Sequence, residues 1–370
     1  MRQAARGQRE DFPVLIQDLG WDAYFDALWS KSEGCAAARV VVQQRALWRV
    51  TGEFGECWAH ASGKLRMESE ASGDWPAVGD WVAAEIQAEE TEAIIQHVLP
   101  RRSRFARKSA GKEISEQVIA ANVDVALIVA ALDGDFNVRR IERYITQCWE
   151  SGARPAIVLN KADACAEREQ RIAAAERVAL GVQVFVVSAK TGEGVEALEA
   201  SFRRGQTVVF LGSSGAGKST LVNRLLGEER QLTNDVRESD SRGRHTTTSR
   251  ELFLLPNGAM VIDTPGLREL SLWNAAEGLA QAFADVEEIA ARCKFRDCRH
   301  GNEPGCAVQT AIASGILDAK RLQSRSKLER EQEFLLRKLD PEARHAEKKR
   351  VKVIMRQVRD KYKSRDKGSR

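Results

Sequence analysis

The chain has 370 residues, enough for two or three domains, and its 43% hydrophobic and 30% charged residues can build soluble cores. The longest apolar run, Val125 to Leu132, falls far short of the ~20 residues that span a bilayer, and the opening MRQAARGQREDF has charge but no apolar centre. A secreted, membrane-spanning or collagen-like protein is not expected, nor is a membrane partner, and the expected location is the cytoplasm.

The net charge of +4 is unevenly placed. Lys320 to Arg370 carries 19 Lys and Arg against 8 Asp and Glu, so the rest of the chain is net acidic. An acidic body with a basic tail fits a polyanionic partner, most often nucleic acid, or simply a solvated helical face.

Residues 1–34 read as an extension with one patterned stretch, LIQDLGWDAYFDALW. Leu15, Leu19, Tyr24, Phe25 and Leu28 predict a short amphipathic helix there. Residues 35–99 change texture: RVVV, LWRV, WVAAEI and AIIQHV alternate with glycine-bearing turns, which predicts a small all-β barrel or sandwich. Six of the eight tryptophans lie before residue 82. Core packing accounts for most of them, and one or two on a barrel face can stack on bases. Residues 100–117, with PRRSRFARKSAGK, read as a basic linker that either touches a phosphate backbone or is merely solvated.

From 118 to 272 strands and helices alternate. Strands are expected at Val123–Ala131, Arg154–Leu159, Val182–Val187 and Thr207–Leu211. Helices are expected at Val138–Ser151, Arg168–Ala179, near Gly194–Phe202 and from Lys218. A hairpin, Glu251–Leu255 and Ala259–Ile262, turns at Pro256-Asn257-Gly258. This alternation predicts a parallel α/β sheet covered on both faces. Residues 273–340 are helical with a Cys/His cluster, and 341–370 form a basic tail.

Gly212-Ser213-Ser214-Gly215-Ala216-Gly217-Lys218-Ser219 fits the P-loop pattern between a strand and a helix that continues through Thr220. The glycines let backbone N–H groups curl toward phosphate oxygens, Lys218 reaches the terminal phosphates, and the Ser219 hydroxyl can bind Mg²⁺. Base choice comes from Asn160-Lys161-Ala162-Asp163 at a strand end. The Asp163 carboxylate can accept from N1–H and the 2-amino group of guanine, neither of which adenine offers. Asn160 can bond the purine edge and the Lys161 stem can lie over the ring. Ser188-Ala189-Lys190 after the next strand adds a backbone N–H for the guanine oxygen.

Asp263-Thr264-Pro265-Gly266 follows the apolar strand AMVI. Asp263 can hold Mg²⁺ through water, and the Gly266 N–H can sense the γ-phosphate. In the upstream polar stretch Arg244-His245-Thr246-Thr247-Thr248, Thr247 is the candidate to complete the Mg²⁺ shell. Leu267 stands where Ras-type proteins carry a water-orienting glutamine. The orienting group must then come from elsewhere: His245 within this chain, or a group supplied by a partner.

Cys293, Cys298, His300 and Cys306 offer three thiolates and an imidazole within fourteen residues, beside turn-forming Gly301, Pro304 and Gly305. That is a closed tetrahedral set for one structural Zn²⁺, in keeping with a reducing compartment. Cys35, Cys57, Cys148 and Cys165 are scattered.

These motifs resemble those of Ras-like GTPases in a different order, with NKAD and SAK ahead of the P-loop, the threonine loop and DTPG. That order, with VGDWV, VLPR, AANVD, LDGDFN, RYITQCWESGA and GRHTTT, resembles the bacterial ribosome small-subunit-dependent GTPase A, a circularly permuted GTPase family, over roughly residues 35–310. The resemblance implies a multidomain chain: an N-terminal OB-fold barrel contacting rRNA, a central circularly permuted P-loop GTPase domain and a C-terminal helical zinc-binding domain. It also implies a GTPase acting late in small-subunit maturation and stimulated by the small ribosomal subunit. Hydrolysis of GTP to GDP would time release; a monomer is expected. The alternative is an assembly placeholder in which nucleotide only orders the switch loops. The ribosomal role rests on the resemblance alone.

Overall fold

The computed structural model describes residues 15–29, 34–44, 46–72, 74–87, 92–108, 116–227, 250–263, 276–301 and 303–339. Those up to 263 belong to one compact unit and those from 276 onward to a second.

The helix of the N-terminal extension is shorter than its hydrophobic pattern predicts, α1 spanning only Ala23–Leu28. Gly20 sits at φ +87°, which ends the preceding turn, and the Asp22 carboxylate accepts from the Tyr24 N–H at 3.0 Å to start the helix afresh. Leu19, Trp21 and Phe25 are buried, whereas Leu15 and Tyr24 are exposed. Trp21 packs edge-on against Trp81 at 4.8 Å, and the Arg102 guanidinium lies over the Tyr24 ring.

Strands β1 (Cys35–Gln44), β2 (Leu47–Gly52), β3 (Gly55–Ala61), β4 (Trp81–Ile86) and β5 (Glu92–Val98) pair in the order β1-β2-β3-β5-β4, and β4 returns to β1. The five-stranded barrel is therefore closed, with β3–β5 its parallel pairing, and helix α2 (Gly63–Ser72) fills the crossover after β3. This is the OB-like barrel expected from the resemblance. Strand alternation sends Val40, Trp48, Val50, Ala59, Val82 and Ile95 into its core. Trp48 donates its indole N–H to the Pro76 carbonyl at 2.9 Å. Trp21, Trp48 and Trp81 are buried as the packing explanation expects, while Trp29, Trp58 and Trp75 are half-buried, Trp58 with the Arg49 guanidinium over its ring.

The VGDWV and VLPR strings have a physical reason for occurring together. Asp80, fully buried, accepts from Arg101 Nε and Nη2, both at 2.7 Å, and from the Ala77 N–H at 2.8 Å. Gly79, at φ +92°, passes so close to the Ala121 carbonyl that a Cβ would collide with it.

The stretch read as a linker contributes a strand. Its Arg104–Lys108 segment forms β6, antiparallel to β7 (Glu116–Ala121), because Phe105 and Ala106 are buried between the charges that dominate the sequence there.

The α/β region carries β8 (Val125–Ala131), α3 (Val138–Ser151), β9 (Arg154–Asn160), α4 (Arg168–Glu176), β10 (Gln183–Val186), α5 (Val195–Ala200), β11 (Thr207–Leu211), α6 (Lys218–Leu226), β12 (Arg250–Leu254) and β13 (Met260–Asp263). The sheet runs β10-β9-β8-β11-β13-β12, parallel except for β12. Both faces are covered. Leu127 and Val129 join the core built with Leu198 of α5 and Leu221, Val222 and Leu225 of α6, while Ile128 and Ala130 line the opposite side with Ile141 and Tyr144 of α3.

Strand β1 also pairs with β12, Val42 opposite Glu251 and Gln43 opposite Arg250, so barrel and α/β sheet form one eleven-stranded sheet. At that seam the buried Arg39 donates to the Leu19 carbonyl, to the Thr207 hydroxyl at 2.8 Å and to the Asn122 carbonyl at 3.3 Å. Burial without a directly bonded carboxylate lowers its pKa to about 10.

The second unit is helical: α7 (Ala276–Ala282), α8 (Ala284–Ala290), α9 (Ala307–Ala313) and α10 (Ala319–Leu339). The buried Arg321 of α10 grips Asp285 of α8 at 2.5 and 2.8 Å and lies over the Phe283 ring. Among the described residues no helix is long and apolar enough to cross a membrane.

Candidate functional site

The ends of β9, β10 and β11 bring together the predicted guanine and phosphate motifs, which lie up to sixty residues apart in sequence. Residues 212–217 curl between β11 and α6, with Gly212, Gly215 and Gly217 all at positive φ. At Gly217 a Cβ would collide with Asn160 Nδ2, so this glycine serves the close approach of two loops as well as the turn. Lys218 Nζ donates to the carbonyls of Gly212 at 3.0 Å and Ser213 at 2.7 Å, holding its ammonium across the loop. Ser219 and Thr220 follow in the first turn of α6.

Asn160 is buried at the end of β9. Its Nδ2 donates to the Ala216 carbonyl at 2.8 Å, and its Oδ1 accepts from the Ala189 N–H at 2.9 Å. One side chain thus joins the P-loop, the NKAD turn and the SAK turn, leaving a second Nδ2 hydrogen for a purine edge. Lys161 adopts a left-handed conformation (φ +63°) and its Nζ donates to Asp133 at 2.7 Å. The Asp163 carboxylate accepts from the Ser188 hydroxyl at 2.6 Å, a bond that lowers its pKa, and the same hydroxyl accepts from the Thr191 N–H at 3.1 Å. Asp163 is therefore a fixed, ionised acceptor beside the SAK turn, where Ala189 is buried and Lys190 exposed.

Asp263 closes β13. Burial raises its pKa, as does Glu251 across the β12–β13 pair, while Lys218 opposes them. A cation beside Asp263 would relieve that penalty, which suits a carboxylate that takes part in holding Mg²⁺. His245, Thr247 and Gly266 lie outside the described residues.

Three features of this site escape motif reading. Arg224 of α6 donates to the carbonyls of Ala189 at 3.3 Å and Thr191 at 3.2 Å, tying the P-loop helix to the SAK turn. Asp133 meets Lys161, and Asp135 accepts from the Ser213 hydroxyl at 2.7 Å. The available signal was the LDGDFN string itself, two acids in a turn just after a buried strand.

In the second unit the ligand atoms of Cys293, Cys298, His300 and Cys306 all lie within 4.8 Å of one another. His300 Nδ1 is 3.7 Å from the sulfurs of both Cys293 and Cys306, which are themselves 4.0 Å apart. A tetrahedron with metal–sulfur bonds near ~2.3 Å has edges of about 3.8 Å, close to the 3.7, 3.7 and 4.0 Å separations among Cys293, His300 and Cys306, so the donor set fits a tetrahedral ion such as zinc. The His300 carbonyl accepts from Gln309 Nε2, fixing the backbone that carries the imidazole.

Relatives agree with this architecture. A small ribosomal subunit biogenesis GTPase RsgA from Opitutus terrae is 44% identical over 352 residues, covering 92% of this chain and 96% of that protein. The chain belongs to the RsgA GTPase family. The RsgA GTPase family model matches residues 98–273, the range holding the nucleotide motifs. An ABC transporter model matches residues 195–367, which include the phosphate loop that many nucleotide-binding families share. The RsgA 2 protein of Lactiplantibacillus plantarum is 45% identical over 305 residues, covering 82% of this chain and 86% of its own. Among solved structures, YjeQ from Thermotoga maritima superposes with a TM-score of 0.59 at 25% identity, over 82% of this chain and 99% of that one. YloQ, described as a circularly permuted GTPase, matches the fold with a TM-score of 0.58 at 22% identity, over 82% of this chain and 97% of its own. As an RsgA-family chain the protein carries the permuted motif order read from its sequence.

Proposed function

We propose that this protein hydrolyses GTP to GDP during maturation of the small ribosomal subunit, using the nucleotide as a timer for its release. The observation that carries the reading is the buried Asn160 bridge, which holds a guanine-type acidic acceptor, Asp163, at a set distance from a phosphate loop. The names of the relatives, small ribosomal subunit biogenesis GTPases, supply the process.

In this reading Asp163 accepts from guanine N1–H and the 2-amino group, Asn160 and the 188–190 turn meet the other purine edge, and the Lys161 stem covers the ring. Residues 212–217 cradle the phosphates, with Lys218 at the terminal ones. Ser219, Asp263 and Thr247 would hold Mg²⁺, which would neutralise the negative charge of the phosphates. The Gly266 N–H senses the γ-phosphate, and His245 orients the attacking water. Zn²⁺ at Cys293, Cys298, His300 and Cys306 is structural, with every ligand position occupied by protein. The small ribosomal subunit and its rRNA are the partners, met by the barrel and by the basic tail, in the cytoplasm and as a monomer.

The test is GTP hydrolysis with and without purified small subunits, alongside subunit binding in each nucleotide state. Strong stimulation supports the timer. Subunit binding that ignores the nucleotide, with unstimulated turnover, supports the placeholder reading.

A further inference from the structure

The turn joining β8 to α3, residues 132–137, touches both halves of the nucleotide site. Asp133 accepts from Lys161 Nζ at 2.7 Å on the base side, and Asp135 accepts from Ser213 Oγ at 2.7 Å on the phosphate side. The two acids are locked to each other, since the Asp135 N–H donates to Asp133 Oδ1 at 3.0 Å and the Phe136 N–H to the Asp133 carbonyl at 3.1 Å. The turn is pinned from outside as well. Arg171 of α4 donates to the Asp133 carbonyl, Arg140 of α3 donates to Asp135 through both terminal nitrogens, with Nη2 at 2.9 Å, and Asn137 caps α3 with bonds of 2.9 and 3.2 Å.

We propose that Asp133 and Asp135 are positioning residues that make this turn a strut between the base loop and the phosphate loop, so that occupancy of one half orders the other. The proposal rests on the reading of the site as a GTP site. A lysine stem loses considerable rotamer freedom when it is ordered over a ring. Anchoring its ammonium on Asp133 removes part of that cost before the purine arrives. Asp135 does the same for the Ser213 side of the phosphate loop, and its own negative charge, unwelcome beside phosphates, is offset by Arg140. Three other links span the same halves: Asn160 to Ala216, and Arg224 to Ala189 and Thr191. The strut completes the ring on the side of α3.

The experiment measures affinity of the full chain for fluorescent GDP and for a non-hydrolysable GTP analogue in Asp133→Asn, Asp135→Asn and the double variant. The Asp133 side chain is 36% exposed and that of Asp135 50%, so each single change should weaken binding only roughly two- to tenfold. The double variant should lose little more than the worse single one, because either break releases the strut. Ser213→Ala should reproduce Asp135→Asn and add nothing to it, while Ser213→Thr, which keeps the hydroxyl, should restore binding. Asp133→Asn should weaken guanine and xanthine nucleotides by the same factor, since it orders the ring without reading the base. Single effects that multiply in the double variant, or affinities equal to the parent's, would overturn the strut. Lys218→Ala serves as the control: if it binds GTP normally, the nucleotide site itself is misassigned, whereas if it fails to bind while the acids prove neutral, the strut alone is wrong.

Discussion

Asn160 Nδ2 donates to the Ala216 carbonyl at 2.8 Å, across fifty-six residues of sequence, and this bond ties the guanine loop to the phosphate loop. Because Asn160 is buried, truncation leaves both Ala216 C=O and Ala189 N–H without their partner, at a cost of about 1–3 kcal/mol for each such group. Asn160→Ala should therefore weaken GDP and GTP at least tenfold and lower the melting temperature together with affinity. Calorimetric titration and thermal melting check both; unchanged nucleotide affinity would refute the bridge.

Guanine preference should rest on Asp163. Asp163→Asn swaps an acceptor for a donor where the 2-amino group must be met, losing a charged hydrogen bond of ~1.5–3 kcal/mol and so one or more powers of ten in GTP affinity. Xanthosine triphosphate, with a carbonyl there, should gain. Competition between the two nucleotides reads the reversal directly.

Arg101→Ala should be among the most damaging changes in the barrel. It leaves the fully buried Asp80 carboxylate without its two 2.7 Å bonds, and breaking a buried pair on one side costs about 3–5 kcal/mol. Burial already raises the pKa of Asp80 against the pull of Arg101. Denaturant unfolding should show the loss, and the double variant Arg101→Met, Asp80→Ala should recover a substantial part of it. A double variant no better than the single would count against an unpaired charge as the cause.

Metal should hold the second unit together without touching nucleotide. Cys298→Ser, or a strong chelator, should release zinc measured by a colorimetric dye and increase proteolysis around residues 290–310, since ligand binding and folding are linked. GTP affinity should remain within about twofold of the parent, a change of some 0.4 kcal/mol.

A timer requires that the small subunit tell GTP from GDP. Binding should be tighter with a non-hydrolysable GTP analogue than with GDP, and reciprocity makes the subunit favour the GTP state by the same free energy, ~1–3 kcal/mol for a typical coupling. His245→Ala should slow turnover while preserving the difference, which leaves the protein on the subunit. Equal sedimentation with subunits in both nucleotide states would remove the timer.

Features whose chemistry is local were legible in the sequence. The P-loop needs its glycines and lysine at fixed spacing because one backbone turn forms the cradle, and three cysteines and a histidine within fourteen residues need only a short loop to converge. Helix α3 follows its expected span because Asn137 caps one end and Gly152, at φ +85°, closes the other. Charge misled at residues 104–108, where buried Phe105 and Ala106 make a strand, and periodicity misled before α1, where Gly20 interrupts the helix. Tertiary structure alone decided what distant polar groups do. Asn160 spends two of its hydrogen bonds on Ala216 and Ala189, Asp80 waits for Arg101, and Arg39 joins Leu19, Asn122 and Thr207 at the seam where β1 continues the sheet through β12. Each of these groups is buried and must find partners, but which partners it finds depends on how segments up to 168 residues apart are brought together, and no local pattern encodes that.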